Sequence, residues 1–516
     1  MFQEYLDIKI EYMRTLEEIL AIPEIERKIY YLKKGRKTDQ PNAHALYNDW
    51  NPNKHEIVID EEKYPKIKIT THPEKRITDP TTGKEYVEPA VRKEVDPNRI
   101  ALPIEQDIVN IQTAFTVGTE PVLDCQPDQS EETLLSALKQ VFKKNKLKYQ
   151  NKKVVRAWLA EQEVAEYWYV VRDDGFWAKL KRKISGIFGK SKPEYRLKSA
   201  IWSPFRGDKL YPFFNDQGDL VALSREYKKK DLNDVEITCF MTITKDMVYQ
   251  WELTSSWSDK GSFAHGFKKM PVIYMYRPEA YCEKIKSLRV RLEKLLSSYA
   301  DCIDYHFFPI LMLFGNVENF SGEFKNRVVE LTGQGANAQY LTWSQVPDTV
   351  KFEVETLLSQ IYGLTNTPRI SFDSLKGTGN AVSGVSFDYV FMSTHLNVEN
   401  LNETVGEFMQ RRVNFLVSAL GSVNSTLEAA SETIDVDVQM QPYKLENLKD
   451  KIDTAIKAKD GEIWSQKRAI TFVGNVDAVM DEIEAIKEEQ AEKQKNDIEK
   501  QRQLSSLKSS SNKSEE

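Results

Sequence analysis

The sequence predicts an α+β fold in which long helices alternate with antiparallel strands. Residues 195–256 contain four runs that are rich in β-branched and aromatic side chains, with turn residues between them, which is typical of a β-meander. On both sides of this region, apolar residues recur every three or four positions over long stretches. That spacing is typical of helices that pack one face against a core.

The composition predicts a soluble chain that is long enough for several domains. The chain has 516 residues, of which 41% are hydrophobic. No run reaches the about eighteen apolar residues that a membrane-spanning helix needs, so we expect no membrane association. The start, Met1–Ile10, is acidic and polar and lacks the pattern of a signal peptide. The four cysteines are scattered without a CxxC pair, which favours neither a disulfide framework nor a zinc site.

The charge balance bears on nucleic-acid binding. The formal net charge is −6, whereas a sequence-specific DNA-binding protein is usually basic. The same balance is compatible with a protein that contacts DNA only weakly, because each phosphate that Lys or Arg neutralises adds affinity.

The first part of the chain predicts helices that lead into a sheet. Residues 1–35 are expected to form a helical arm that Pro23 interrupts. The basic segment 176–192 is either a solvated loop or short amphipathic helix, or a patch that binds nucleic acid or a partner. The other predicted helices are 102–117, a helix carrying Leu134 to Phe142, and 152–165; the predicted strands are Glu56–Ile59, Lys66–Thr70 and Glu166–Arg172.

The second part predicts the meander and the longest helices. Gly261–Gly266 is expected to be a linker after the meander. The meander strands are Tyr195–Trp202, Leu220–Tyr227, Val235–Thr244 and Met247–Leu253. The later elements are helices 279–306, 348–362 and 385–420, short strands Ile310–Phe314 and Ala338–Leu341, a strand Ile434–Met440, and helices Leu445–Ile456 and Asp477–Lys493.

No motif in the sequence predicts catalysis, a cofactor or a metal site. The best phosphate-loop candidate, Gly186 to Ser191, has two residues between its glycines where a Walker loop needs four. The acidic pairs Glu61-Glu62 and Asp173-Asp174 lie in turn-like contexts, and His306 fits a packed position better than a ligand. We therefore expect a protein that is not an enzyme.

The order of the elements carries more information than any single motif. A mixed region leads into a long helix, then a Gly-rich insert, a second helix, a loop rich in Thr, Pro, Ser and Gly, and a very long helix. This order resembles the portal family of tailed phages, of the siphovirus-like kind. The passages that are similar to that family are Asn98-Arg99-Ile100 through Gly118-Thr-Glu-Pro121-Val122, Trp168 to Gly175, Lys269-Met-Pro271, Tyr362 to Pro368 with Ala381-Val-Ser383-Gly384-Val385-Ser-Phe, and Ile434 to Val438.

The resemblance implies a portal-type fold that assembles as a ring. The implied parts are an N-terminal arm and peripheral segment (1–97), a wing (98–270), a first stem helix (271–306), a clip (307–346), a second stem helix (347–365), a tunnel loop (366–384), a long wing helix (385–420), a crown (421–490) and a disordered tail (491–516). It further implies a homo-oligomer of about twelve subunits around double-stranded DNA. Terminase, the major capsid protein and head-completion or adaptor proteins would be partners, in a virion whose portal vertex assembles in the host cytoplasm.

The resemblance also implies three groups of site residues. Ring packing would involve Ile285, Leu288, Leu292, Leu295 and Tyr299 on the first stem helix. The clip would use Gly315, Asn316, Gly322, Gly333 and Gly335 for tight turns. The tunnel loop would present Arg369, Asp373, Ser374, Leu375, Lys376, Gly377, Thr378 and Gly379 to DNA, with Lys376 touching phosphate and Arg369 and Asp373 alternatively making contacts between subunits.

Three other interpretations remain in competition with a portal. Another structural virion protein, such as a head–tail adaptor or a scaffold-like protein, would have a smaller β-region and no insert between two long helices. A packaging enzyme would need a phosphate loop or a carboxylate cluster. A cellular coiled-coil adaptor would need sustained heptads.

Overall fold

The computed structural model has the predicted α+β architecture. It divides into two compact units, one formed by Met1–Arg369 and Ser393–Tyr443, the other by Ile370–Met392 and Lys444–Glu516. The described residues are 15–72, 74–78, 80, 83, 85–172, 195–306, 310–320, 329–341, 347–369, 391–441, 443, 448–474 and 479–511.

The first unit begins with short helices. A capping box between Thr15 and Glu18 starts the first of them. The helices are α1 (Leu16–Leu20), α2 (Ile25–Lys34), α3 (Ala43–Trp50) and α4 (Glu56–Ile59). The strand predicted over residues 56–59 is therefore wrong. Its β-branched side chains suit a strand, but Ile57 is buried in a single helical turn that follows the 3₁₀ turn Pro52–Lys54.

Two small antiparallel ladders follow between residues 67 and 95. Strand β1 (Ile67–His72) pairs with β4 (Val91–Val95), and β2 (Lys75–Thr78) pairs with β3 (Glu85–Glu88). The five residues of β4 are all exposed. Among the side chains of these ladders whose burial the structure describes, none belongs to the buried core.

Helices α5, α6 and α7 form the main core with a later long helix. Leu138, Leu159 and Leu416 are completely buried within it. The helix that was predicted to begin at residue 152 begins five residues earlier, at Leu147. Lys146 directly before it has a φ of +53°, which separates this helix from the one that precedes it. The elements are α5 (Ile104–Val117), β5 (Val122–Asp124), α6 (Glu131–Asn145) and α7 (Leu147–Glu161).

The strands of the predicted meander belong to two separate sheets. The strands of this region are β6 (Glu163–Arg172), β7 (Tyr195–Trp202), β8 (Lys209–Phe214), β9 (Leu220–Lys230), β10 (Glu236–Thr244), β11 (Met247–Leu253), β12 (Trp257–Ala264) and β13 (Val272–Tyr276). One sheet has the order β13-β6-β7 and the other has the order β12-β11-β10-β9-β8. Strand β7 was predicted as part of the meander, but it pairs with β6 along its whole length.

The linker predicted at Gly261–Gly266 is also wrong over most of its length. Strand β12 includes Gly261 and pairs with β11, with a register shift where Gly261 faces Gln250 and Asp259 faces Trp251. Gly261 has a φ of +100°. A glycine in that conformation accommodates a bulge within a strand, which explains why the residue resembled a linker.

The rest of the first unit contains the long helices. The 3₁₀ turn Glu283–Ile285 precedes the long helix Lys286–His306, and the 3₁₀ turn Ser425–Leu427 precedes the short helix Glu428–Thr433. The start of the helix predicted at residue 385 lies outside the described residues, and its end is Val423 rather than residue 420. The elements are α8 (Lys286–His306), β14 (Ile310–Phe320), β15 (Val329–Leu341), α9 (Pro347–Leu364), α10 (Met392–Val423), α11 (Glu428–Thr433) and β16 (Asp437–Gln439), which pairs with β5.

The second unit is helical in its described part. Its helices are α12 (Leu448–Asp460), α13 (Gln466–Val473) and α14 (Val479–Ser511). The tail that the sequence predicts to be disordered from residue 491 belongs to α14 as far as Ser511. Its first part is rich in Glu, Lys and Gln, which have high helix propensity. Among the helices of the described ranges, none is both long enough and apolar enough to cross a membrane.

Candidate functional site

The two helices on either side of the β14–β15 hairpin pack against each other. Leu292 of α8 and Leu357 and Ile361 of α9 are buried in the same core. On the surface of the pair, Arg291 donates from Nε and Nη2 to Oε1 of Glu353, at 2.9 and 2.7 Å. The predicted helix–insert–helix arrangement is thus a packed helix pair whose connection is a hairpin.

The apolar side chains that were predicted for ring packing face the core of their own chain. Ile285 and Leu292 are completely buried in the core of their own chain, so their side chains cannot reach another subunit. Leu288 and Leu295 pack half-buried against the same core, and Tyr299 is half-buried. Helical spacing predicted a buried face correctly but could not distinguish burial within the chain from burial against a copy.

Other apolar side chains near this helix pair are open to solvent. Phe352 on α9 is 73% exposed, and Leu364 at the end of α9 is 52% exposed. Leu396 near the start of α10 is 61% exposed. A large apolar side chain that is exposed singly is normal on a protein surface.

The β14–β15 hairpin has a pronounced irregularity at the predicted glycines. Phe314 pairs with Asn337 and Asn316 pairs with Thr332, so Gly315 lies opposite residues 333–336. Gly335, in this bulge, has a φ of +87°, a conformation that strongly favours glycine. Gly333 and Gly335 lie in this irregular part of the hairpin, and the predicted Gly322 lies outside the described residues.

Of the residues predicted for the tunnel loop, only Arg369 is among those described. Its Nη1 atom lies 2.6 Å from Oε2 of Glu355 on α9, an ion pair within one chain. This pair raises the pKa of Arg369 and lowers the pKa of Glu355 through their hydrogen bond. The remaining predicted residues lie outside the described part of the chain: Asp373, Ser374, Leu375, Lys376, Gly377, Thr378 and Gly379.

Residues on both sides of segment 370–390 form a hydrogen-bond network with Gln112 and Tyr281, and this network is called the anchor cluster. Gln112 on α5 donates from Nε2 to the carbonyl oxygens of Thr365 and Asn366, at 3.1 and 3.2 Å, and to Oγ1 of Thr367 at 2.9 Å. The members of the cluster are Gln112, Tyr281, Thr365, Asn366, Thr367, Thr394 and Asn397.

The other side of the cluster belongs to the start of α10. Asn397 donates from Nδ2 to Oε1 of Gln112 and to the hydroxyl of Tyr281, both at 2.9 Å. The Tyr281 hydroxyl donates to the carbonyl of Thr365 at 2.6 Å, and Thr394 Oγ1 donates to the carbonyl of Asn366 at 2.8 Å. Burial raises the pKa of Tyr281, which keeps its hydroxyl protonated as a donor.

A second buried polar group lies at the start of α8. Arg289 is shared by three carboxylates: its Nη2 lies 2.9 Å from Asp49 Oδ1, its Nε lies 2.5 Å from Glu105 Oε1 and its Nη1 lies 3.5 Å from Glu293 Oε2. His55 Nδ1 lies 2.7 Å from Glu293 Oε1. Burial raises the pKa of Glu105 to about 7 in spite of the nearby guanidinium. The group ties the N-terminal helices and α5 to the base of α8.

Sequence reasoning missed both polar groups, although one signal was present. Gln112 follows Ile108 by four residues in the predicted helix 102–117, so it lies on the same face as Ile104 and Ile108. Gln112 is completely buried, and the buried side of α5 also carries Glu105, Thr113 and Thr116. Polar side chains on the face of a predicted helix that carries its apolar residues were therefore the signal for the cluster.

Comparisons with known proteins identify a family. The family described as "Phage portal protein, SPP1 Gp6-like" matches residues 70–496. No curated protein matches the chain. Among solved structures, a chain from "Virion of native gene transfer agent (GTA) particle" aligns with a TM-score of 0.37 and 10% identity, covering 72% of this chain and 90% of that one.

Proposed function

Because the chain belongs to the phage portal protein family of the SPP1 Gp6-like type, we propose that it forms the DNA conduit at one vertex of a phage capsid. The family match over residues 70–496 is the observation that carries this proposal. The family is a structural, non-enzymatic component of the virion, so the chain is a structural virion protein. The energy for packaging would come from a terminase that docks on the conduit.

The proposed assembly is a closed ring of about twelve copies, held by one heterologous interface that repeats around the axis. It would assemble in the host cytoplasm together with the major capsid protein. Phe352, Leu364 and Leu396 are exposed apolar side chains that could take part in this interface, whereas Ile285 and Leu292 are buried within the chain. The ring would serve packaging, then retention and ejection of the genome.

The β14–β15 hairpin is the proposed clip. It connects the two packed helices of the proposed stem and has the irregular, glycine-containing backbone described above. A hairpin that connects two packed helices suits sequential docking of terminase and of head-completion proteins. Segment 370–390 is the proposed tunnel loop.

The ion pairs near the proposed channel elements support a passage that holds DNA weakly. Arg291 and Arg369 each pair with a glutamate of α9. A cation that is already paired releases fewer counterions when it approaches phosphate and so adds less affinity. Together with the net charge of −6, these pairs suit a duplex that must slide.

Electron cryo-microscopy of the purified full-length protein tests the proposal. Class averages should show a ring of about twelve subunits around a hole of about 20 Å, wide enough for a duplex. Particles without a channel, both alone and after co-expression with capsid protein, would refute the conduit. They would favour the alternative of another structural virion protein, such as a head–tail adaptor or scaffold-like protein.

A further inference from the structure

We infer that the anchor cluster positions segment 370–390 by joining the described residues on its two sides, 365–367 and 394–397, to helix α5. This inference rests on the proposed function, because the segment is the proposed tunnel loop, and it names the residues that set where the loop leaves and rejoins the fold. Gln112, Tyr281 and Asn397 are the positioning residues. They act through the chain ends and are not themselves proposed to touch DNA.

On the N-terminal side of the segment, hydrogen bonds hold residues 365–367, which directly follow the last turn of α9. Carbonyl groups at a helix C-terminus lack partners within the helix and need them from elsewhere. Here the Thr365 carbonyl accepts from Gln112 and Tyr281, and the Asn366 carbonyl accepts from Gln112 and from Thr394. Asn366 has a φ of +47°, a left-handed conformation that asparagine tolerates at the end of a helix.

The second end is held through the same amide group. The Nε2 atom of Gln112 donates to the first end, while its Oε1 atom accepts from Asn397, five residues into α10. One planar amide on α5 therefore contacts both flanks of the segment. The Tyr281 hydroxyl repeats this bridge, because it accepts from Asn397 and donates to Thr365.

Burial makes this arrangement specific. Gln112, Thr365 and Thr394 are completely buried, so a group that loses its partner cannot turn to solvent. Because an unsatisfied buried donor or acceptor is destabilising, burial favours one arrangement of the network over its alternatives. Force that DNA exerts on the loop would therefore pass to α5 and α10 and not be carried by the end of α9 alone.

The test compares two substitutions on the same helix. Asn397→Leu removes both donations from Asn397 at similar side-chain size. The matched control is Gln410→Leu, because Gln410 also makes two hydrogen bonds across the fold, to the carbonyl of Val436 at 2.8 Å and from the amide of Val438 at 2.9 Å. The two positions lie about 20 Å apart along α10, from a rise of about 1.5 Å per residue.

The first measurement is hydrogen exchange in the full-length protein. We expect Asn397→Leu to raise exchange at least tenfold at the amides of Asn366 and Thr367, whereas Gln410→Leu should raise it only near Val438. Equal effects of the two variants at Asn366, or no effect of Asn397→Leu, would overturn the inference. This measurement needs no ring, so it decides the role of the cluster even if the proposed function fails.

The second measurement distinguishes positioning from general stability. Rings are assembled with a few subunits that carry a spin label at Lys376→Cys, and the width of the distance distribution between labels is measured. Asn397→Leu should broaden the distribution and Gln410→Leu should leave it unchanged at a comparable loss of thermal stability. If Asn397→Leu does not fold, Thr394→Val removes one donor and Thr394→Ser should restore the narrow distribution. Broadening in the control alone, or no rescue by serine, would contradict the inference.

Discussion

Arg412 on α10 donates from Nε to Oε2 of Glu166 on β6 over 2.6 Å, and both side chains are completely buried. Gln150 donates to the other carboxylate oxygen of Glu166 at 2.6 Å, and Arg412 donates to Asn151 at 2.5 Å. The pair joins the longest helix of the first unit to the three-stranded sheet. Because Gln150 of α7 binds one carboxylate oxygen and Arg412 binds the other, both oxygen atoms of Glu166 have a hydrogen-bond partner.

Arg412→Met should destabilise the first unit strongly. Removing one partner leaves the Glu166 carboxylate buried without its counter-charge, which costs about 3–5 kcal/mol. The matched control is Arg411→Met, because Arg411 makes an exposed pair with Glu407 one turn away, which is worth about 0.3–0.5 kcal/mol. Urea unfolding followed by tryptophan fluorescence should show a much lower midpoint only for Arg412→Met. Similar midpoints for the two variants would show that the buried pair contributes little.

The sequence predicted the kind and order of most elements because the periodicities of helices and strands are local properties. It could not predict which elements that are distant in the sequence pair or pack with each other. Strand β7 looked like part of the meander, yet it pairs with β6, which precedes it by more than twenty residues. Ile285 and Leu292 were correctly placed on a buried face, but the partner is the chain's own core. Residues 56–59 have strand-like side chains, and tertiary contacts of Ile57 stabilise a helical turn instead.

Glu161 should make stability depend on pH. The residue is buried at the end of α7 and accepts a hydrogen bond from the Phe205 amide at 2.7 Å. Burial raises its pKa from 4.5 to about 7. Between these values the folded chain binds more protons than the unfolded chain, so the free energy of unfolding falls as pH rises. The full effect is about 3 kcal/mol.

Glu161→Gln should therefore reduce this decline between pH 4.5 and pH 7, because glutamine keeps an acceptor for Phe205 without a charge. Glu105, whose pKa is also raised to about 7, should account for a further part of the slope. Glu132→Gln, at an exposed position on α6, is the control and should leave the slope unchanged. The free energy of urea unfolding at several pH values measures the slopes. A slope in Glu161→Gln as steep as in the wild type would contradict the assignment.

Two glycines should respond in opposite ways to the same added methyl group. An added Cβ would meet no atom within 4 Å at Gly335 or at Gly363. Gly335 has a φ of +87°, so Gly335→Ala should destabilise the hairpin by about 1–2 kcal/mol through backbone strain. Gly363 lies in α9 without a positive φ, so Gly363→Ala should stabilise that helix by about 1 kcal/mol. Hydrogen exchange of the β14–β15 amides and of the α9 amides measures the two effects, and matching signs would contradict the strain argument.

The proposed ring interface makes a prediction about Phe352. The side chain is 73% exposed on α9 in the single chain. Burying a phenylalanine in an interface contributes about 1.5–3 kcal/mol, and a charge there would have to be desolvated without a partner. Phe352→Glu should therefore prevent ring assembly and leave the fold of the monomer intact, as measured by mass photometry and by far-ultraviolet circular dichroism.

Two further variants show whether the effect belongs to the interface. Leu232→Glu places the same charge on a fully exposed side chain between β9 and β10, so rings should form normally. Ile285→Ala leaves a cavity in the core of the chain and should cost about 2–5 kcal/mol of stability, while the folded fraction still assembles. Two results would exclude α9 from the interface: rings of normal size from Phe352→Glu, or loss of rings in Leu232→Glu at equal stability. The subunit contact would then be expected at the half-buried face of Leu288, Leu295 and Tyr299.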